Sequence, residues 1–191
     1  MAIKERRILD IFRKTGALLT GHFRLSSGLH SGQYLQCALL LQHPRYASEL
    51  GKGIADVFSG EGITCVAGPA LGGIIIAHEV ANALGKRCIF GEREDGRMTF
   101  RRGFVVGPQD NVLVVEDVVT TGRSINELIA AIRSKGASVA GVGAIVDRSS
   151  GKVDFGCDFR SLMKIDVKTF NPGECPLCKQ GLPLVKPGSR K

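Results

Sequence analysis

Residues 112–124 read Val-Leu-Val-Val-Glu-Asp-Val-Val-Thr-Thr-Gly-Arg-Ser, which places three kinds of chemistry side by side. Glu116 and Asp117 are adjacent carboxylates, able to accept hydrogen bonds from sugar hydroxyls or to hold a hydrated Mg²⁺. Thr120, Thr121, Gly122 and Ser124 follow as a turn of hydroxyls and backbone donors that opens a helical stretch. Such a turn suits a phosphate, because unpaired N–H groups and the helix dipole both favour an anion. A plain strand-to-helix turn with Ser124 as N-cap would explain the glycine and the serine. It would not explain two carboxylates at the end of a buried strand.

Three other segments could act on the same ligand. Gly68-Pro69-Ala70-Leu71-Gly72-Gly73 lies between an expected strand and helix, and its glycines permit positive φ and close backbone approach to an anion. It is neither a Walker loop nor a clean GxGxxG. Residues 91–103, GEREDGRMTFRRG, make a long charged connection of the kind that often serves as a lid. Arg93, Arg97, Arg101 and Arg102 could clamp a pyrophosphate there, although the alternation at Met98-Thr99-Phe100 also fits a solvated hairpin. Arg148 follows an apolar run and could pair bidentately with a planar carboxylate. The plainer alternative for Arg148 is a surface salt bridge to Asp147 or Asp154.

These residues need a frame to hold them. Val112–Val115 is short, β-branched and continuous, as a buried parallel strand should be. Strands at 63–67, 87–90, 112–115 and 139–146 alternate with helices at 74–84 and 123–135, each closed by a glycine, Gly85 and Gly136. That order predicts a doubly wound, mostly parallel α/β sheet with its core over 60–150, whose ligands bind at the carboxyl ends of the strands. Ahead of it, the spacing predicts a helix over 4–15, short strands within 16–40 and a helix over 44–58 with Pro44 in its first turn. A last strand is expected within 165–170, and a Pro-rich tail over 171–191. The chain reads as one domain, 1–191, with a small N-terminal hood over 16–40.

Composition narrows the partners. No apolar run approaches the roughly 20 residues of a membrane span, so no membrane partner is expected. The start, MAIKERRILDIFRK, is charged and has no secretory h-region, which points to the cytoplasm. A net charge of +8 raises nucleic acid as a partner, but the basic residues are scattered, with no Trp and two Tyr. A phosphorylated, anionic substrate accounts for the charge equally well, so no nucleic-acid partner is expected. Of the six cysteines, Cys65 and Cys88 fall in expected core strands. Cys175-Pro176-Leu177-Cys178 is a CxxC with no second CxxC or His pair after it, so it reads as a turn with two thiols. The alternative is a zinc that draws further ligands from Cys157 or a neighbouring subunit. No other protein ligand to a metal is assigned.

The 112–124 segment resembles the signature for phosphoribosyl pyrophosphate (PRPP) of the type I phosphoribosyltransferases. The hood segment Phe23-Arg24-Leu25-Ser26-Ser27-Gly28-Leu29-His30-Ser31-Gly32-Gln33-Tyr34 and the pair Asp147-Arg148 narrow the likeness to the orotate phosphoribosyltransferases, over nearly the whole chain. That resemblance implies the type I fold and a transfer of ribose 5-phosphate from PRPP to orotate, giving orotidine 5′-monophosphate and pyrophosphate in pyrimidine (UMP) biosynthesis. It implies Mg²⁺ held mainly by PRPP, and a homodimer that shares its lid across the interface. Glu116 and Asp117 would bind the ribose hydroxyls. Val118, Val119, Thr120, Thr121, Gly122, Arg123 and Ser124 would wrap the 5′-phosphate, with Gly72 and Gly73 at the pyrophosphate. Thr120, Arg148, Tyr34 and Ser26 would meet orotate. The sequence departs from the family at three places: Ser26 in the hood, Gly72-Gly73 in the pyrophosphate loop, and a lid without lysine. Each is a place where relatives commonly carry lysine. Arg93 and Arg97 would then carry the lid's catalytic charge, although arginine is a poor proton donor. A purine-base phosphoribosyltransferase and a non-enzymatic PRPP-sensing regulator are the rival readings.

Overall fold

A computed structural model describes residues 3–25 and 27–187. The first helix, α1 (Glu5–Lys14), buries Ile8, Ile11 and Phe12 at helical spacing. Strands β1 (Leu18–Arg24) and β2 (His30–Leu35) form an antiparallel hairpin with an irregular register between Thr20 and Phe23. The short α2 (Ala38–Leu41) leads to α3 (Pro44–Val57), where proline opens the helix at a position that needs no N–H.

The central sheet then unfolds in order. Strand β3 (Cys65–Pro69) leads through a glycine turn to α4 (Gly72–Leu84), which ends on Gly85 at φ +63. Strand β4 (Arg87–Glu94) turns back as β5 (Arg97–Thr99). Strand β6 (Asn111–Val119), α5 (Arg123–Arg133) and β7 (Ser138–Asp147) complete the second half. Strand β8 (Phe159–Lys164) extends the sheet beyond residue 150. Strand order is β5-β4-β3-β6-β7-β8, with only the β4–β5 pair antiparallel. This is the mostly parallel, doubly wound sheet that the alternating elements predict, with the switch in winding direction between β3 and β6.

Both faces of the sheet are covered, which is why the central stretches of β3, β6 and β7 are continuously apolar. Along β6 the residues alternate between two cores: Leu113 and Val115 pack with α1, α3 and α4, while Val112 and Val114 pack with α5. Helix α5 turns Ile125, Leu128, Ile129 and Ile132 inward at the spacing of one helical face. The hood is a second, antiparallel sheet in the order β1-β2-β9, where β9 is Thr169–Phe170. Of the strand expected at 165–170 only Thr169–Phe170 forms, and it joins the hood; the last strand of the core sheet lies before that span. Phe159–Lys164 joins the core sheet, and the chain then crosses to the hood. The tail is less irregular than its prolines suggest: it holds a one-turn helix, α6 (Pro176–Lys179), and Val185 bridges to Phe23 of β1.

Glycine in β7 sets how closely α3 can lie. A Cβ on Gly143 would stand 2.7 Å from Ile54 Cγ2 and 3.3 Å from the Phe58 ring. Gly143→Ala should therefore overpack the α3 face and lower unfolding stability by about 1–3 kcal/mol, read as a shifted urea midpoint at unchanged slope.

Candidate functional site

The site grows from the place where β3 and β6 part. Their pairing ends at Ala67 and Val114, while β6 continues beside β7 as far as Val119 paired with Asp147. The strand thus runs through the acid pair rather than stopping before it. Strand pairing on one side holds the backbone of Glu116 and Asp117 firm, while their other side faces an opening. The first turn of α4 closes that opening. A Cβ on Gly72 would lie 3.1 Å from both Asp117 carboxylate oxygens, and one on Gly73 would lie 3.1 Å from Glu116 Oε1 and 2.7 Å from the Pro69 ring. Only glycine lets this loop come so close to the acids.

The two carboxyls compete for charge. Burial pushes Glu116 well above the ordinary range, and the neighbouring Asp117 charge pushes it further. Burial also raises Asp117, against the opposing pull of hydrogen bonds, one of them from the Val118 N–H at 2.7 Å. Neither carboxylate has an ion-pair partner among the described residues. A pair so placed is suited to sugar hydroxyls or a cation brought by a ligand.

Beyond Val119 the chain turns sharply into α5. Gly122, at φ +69, is the N-cap of α5, so Ser124 lies one residue inside the helix and does not cap it. A Cβ on Gly122 would stand 2.7 Å from the Phe155 ring. The first intrahelical bond here is Asn126 N–H to Gly122 O, which leaves the preceding amides of α5 free for a ligand. A small cavity of about 60 Å³ is lined by Glu116 and residues 118–125. The 118–124 segment is therefore brought together as one concave surface, as its sequence implies.

A larger cavity of about 570 Å³ adjoins it, within the range of small-molecule sites. Asp117, Thr120 and Thr121 form one wall, Tyr34 and Leu25 of the hood another, and Arg148 a third. Arg148 Nε is buried and has no hydrogen-bond partner. Asp147 does not pair with it, because its Oδ1 accepts from the Ser149 N–H at 2.8 Å and the Ser149 hydroxyl at 2.6 Å. Burial lowers the Arg148 pKa, the sign of a cation held away from water. The salt-bridge reading of Arg148 thus gives way to a buried arginine that lines the cavity with its Nε unpartnered. Tyr34 is pushed up by burial and by the Asp117 charge, so its phenol stays a donor. Ser26 lies outside the described residues.

The expected lid is a hairpin, β4–β5, and three of the four arginines of 91–103 are engaged with carboxylates. Arg93 pairs with Glu127 of α5, which also accepts from Arg123 Nε at 2.8 Å. Burial opposes ionisation of Glu127, but these two arginines outweigh it and hold the carboxyl below its usual value. Arg101 and Arg102 lie against Glu92 and Glu94. Neither Arg93 nor Arg97 lines either cavity. Sequence reasoning missed three cations that do line the larger one, Arg24, Lys152 and Lys186. Arg24 lay within the hood segment already singled out, but nothing local marked the two lysines, which the fold carries in from a loop and from the tail.

Known proteins resemble this arrangement closely. Residues 38–176 match the model of the phosphoribosyl transferase domain. The chain is 56% identical over 184 residues to an orotate phosphoribosyltransferase of Pelotomaculum thermopropionicum, covering 96% of this chain and 97% of the relative. It is 53% identical to one of Caldanaerobacter subterraneus, covering 99% and 100%. Among solved structures, an orotate phosphoribosyltransferase from Aeropyrum pernix superposes with a TM-score of 0.71 at 28% identity, over 83% of this chain and 93% of that one.

The acid pair makes a prediction about stability. A carboxyl whose folded pKa exceeds its unfolded one weakens the fold as pH rises through the interval between them. Glu116→Gln should therefore be more stable than the parent at pH 7. The difference should vanish below about pH 4, where the carboxyl is protonated in both states. Denaturant titrations at the two pH values check this.

Proposed function

The chain belongs to the orotate phosphoribosyltransferase family, and from that premise we propose that it joins orotate to the anomeric carbon of PRPP, releasing pyrophosphate and forming orotidine 5′-monophosphate. This is a pentosyl transfer, a step in making UMP. The observation that carries it is the buried, unpartnered Arg148 Nε beside a carboxylate pair and a helix-capped anion cradle. A planar, carboxylate-bearing base supplies the missing partner for Arg148. The purine-base reading gives Arg148 no such partner, and relatives at 52–56% identity over nearly their whole length carry the orotate name.

Each residue then has a task. The free amides of α5 and the hydroxyls of Thr120, Thr121 and Ser124 take the 5′-phosphate. Glu116 and Asp117 accept the ribose hydroxyls and so stabilise positive charge developing on the ring. Gly72 and Gly73 let backbone amides approach the pyrophosphate. Arg148, Tyr34 and Thr120 hold orotate. Arg93 and Arg97 reach the leaving group only if the hairpin moves, Arg93 exchanging Glu127 for phosphate oxygens. Mg²⁺ fits here because the acid pair is desolvated, raised in pKa and without a cationic partner, and when bound it offsets charge on the departing pyrophosphate. Glu116 and Asp117 are the residues that would steady its hydration shell. The same reading takes the protein as a cytoplasmic homodimer with the hairpin at the interface. Exposed Leu71, Ile75 and Val105 favour a covered surface, and no helix among the described residues is long and apolar enough to cross a membrane.

A spectrophotometric assay with orotate, PRPP and Mg²⁺ tests the reading, with hypoxanthine, xanthine and uracil as competing bases. Asp117→Asn should lose on the order of 10²-fold or more in kcat while folding normally. Arg148→Ala should raise KM for orotate by roughly 10-fold or more and leave KM for PRPP nearly unchanged. Activity should fall on the acid side at a pH above the ordinary carboxylate range, because both acids must be ionised and burial raises them. Wild-type turnover in Asp117→Asn would refute the assignment.

A further inference from the structure

A second cluster of reactive side chains lies away from the substrate cavity. His22 of β1, His30 of β2 and the two cysteines of the tail CxxC, Cys175 and Cys178, converge so that their ligand atoms all lie within 4.8 Å of one another. His22, His30 and Cys175 are buried, and Cys178 is exposed. From the sequence, further ligands for the CxxC are expected from Cys157 or a neighbouring subunit, if a metal binds there at all. The fold instead supplies them from the hood hairpin, roughly 150 residues earlier in the chain.

Hydrogen bonding among these four groups cannot satisfy them. His22 Nε2 lies 3.0 Å from His30 Nδ1 and 3.6 Å from each cysteine sulfur. A ring nitrogen offers one hydrogen or one lone pair, not three bonds. The other nitrogen settles which it offers. His22 Nδ1 lies 2.8 Å from the Leu182 carbonyl oxygen, which only accepts, so Nδ1 carries the hydrogen and Nε2 turns its lone pair into the cluster. Cys178 Sγ stands 3.3 Å from His30 Nδ1. A tetrahedral zinc has bonds of about 2.0 Å to nitrogen and 2.3 Å to sulfur, so its N–N, N–S and S–S edges are roughly 3.3, 3.5 and 3.8 Å. The four observed separations lie within a few tenths of an ångström of such edges.

We propose that His22, His30, Cys175 and Cys178 form a structural Zn²⁺ site that ties the C-terminal tail to the hood. The two thiols give up their protons as the metal binds, so the site carries two thiolates and two neutral imidazoles around a divalent ion and is left uncharged. Four protein ligands close the coordination sphere, leaving no position for a substrate. Its role is to fix a wall of the cavity. Val185 donates to His22 O and accepts from the Arg24 N–H, each at 2.8 Å, and Lys186 and Pro187 beyond it line the cavity. The proposal stands apart from the reaction assigned above, since it depends on neither orotate nor PRPP.

Metal analysis tests it on the full chain, purified without a metal-affinity column under reducing conditions. About one zinc per chain is expected by mass spectrometry of the elements. Stripping it should lower the melting temperature by roughly 5–10 °C, and added ZnCl₂ should restore it. Cobalt in its place should give the visible bands of a tetrahedral thiolate site, a readout that needs no variant. Cys178→Ser and His30→Ala should lose zinc, while Cys157→Ser should keep it. Reduced protein that neither contains zinc nor changes its melting temperature with ZnCl₂ would overturn the proposal. So would zinc retained by a Cys175→Ser/Cys178→Ser double variant, or a Cys175–Cys178 disulfide found in protein kept reducing throughout.

Discussion

Two parallel strands stop pairing at Ala67 and Val114, and the working surface depends on that parting. Beyond it, β6 keeps its hydrogen bonds to β7 on one side only. The freed side is where a chain can afford to place two adjacent carboxylates, because the backbone is still held and the side chains still reach a ligand. The glycine loop at α4 then presses against them, excluding water and raising the cost of their charge. A rigid strand is what keeps that unfavourable arrangement from relaxing, so the site is ready for the groups that relieve it.

Register does the rest of the positioning. Because Val119 pairs with Asp147, the cradle after β6 and the arginine after β7 emerge at the same end of the sheet. Arg148 donates its backbone N–H to Val119 O at 2.8 Å, which ties the two turns together. Asp147 is occupied by Ser149, and this leaves the guanidinium without an internal partner. Arg148 and the acid pair thus stand at neighbouring strand ends, while Tyr34 and Leu25 of the hood, a separate small sheet, form a further wall of the larger cavity.

The core was the most legible part of the sequence. Continuous β-branched runs and glycine-closed helices placed β3, β7, α4 and α5 within two residues at each end, because burial on both faces leaves little latitude in composition, whereas β8, which carries Arg160 and Lys164, was not placed. The turn and helix start within residues 112–124 were equally legible, since they form one contiguous segment and a helix start is a local event. What could not be read were features assembled across distance. Val112–Val115 looked like the whole strand because Glu116 and Asp117 are polar, yet pairing with β7 carries the strand to Val119. The four arginines of 91–103 looked available for a ligand, but Glu92, Glu94 and Glu127 engage three of them. His22 and His30 carried no metal signature, because their partners lie in the tail. Their one local hint is that both fall on adjacent strands of a single hairpin. Lys152 and Lys186 were invisible for the same reason.

The hood is stitched from both ends of the chain. Ser31 bonds to Lys168 across 137 positions, and His22 to Leu182 across 160. Contacts of such separation reward the chain only after most of its conformational freedom between them is already gone. The central sheet closes shorter loops: even its longest step, from β3 to β6, pairs Cys65 with Val112. Closing the hood therefore costs the chain more conformational freedom than closing any pair of the central sheet, and the wall that Lys186 and Pro187 lend to the larger cavity is held by contacts spanning nearly the whole chain.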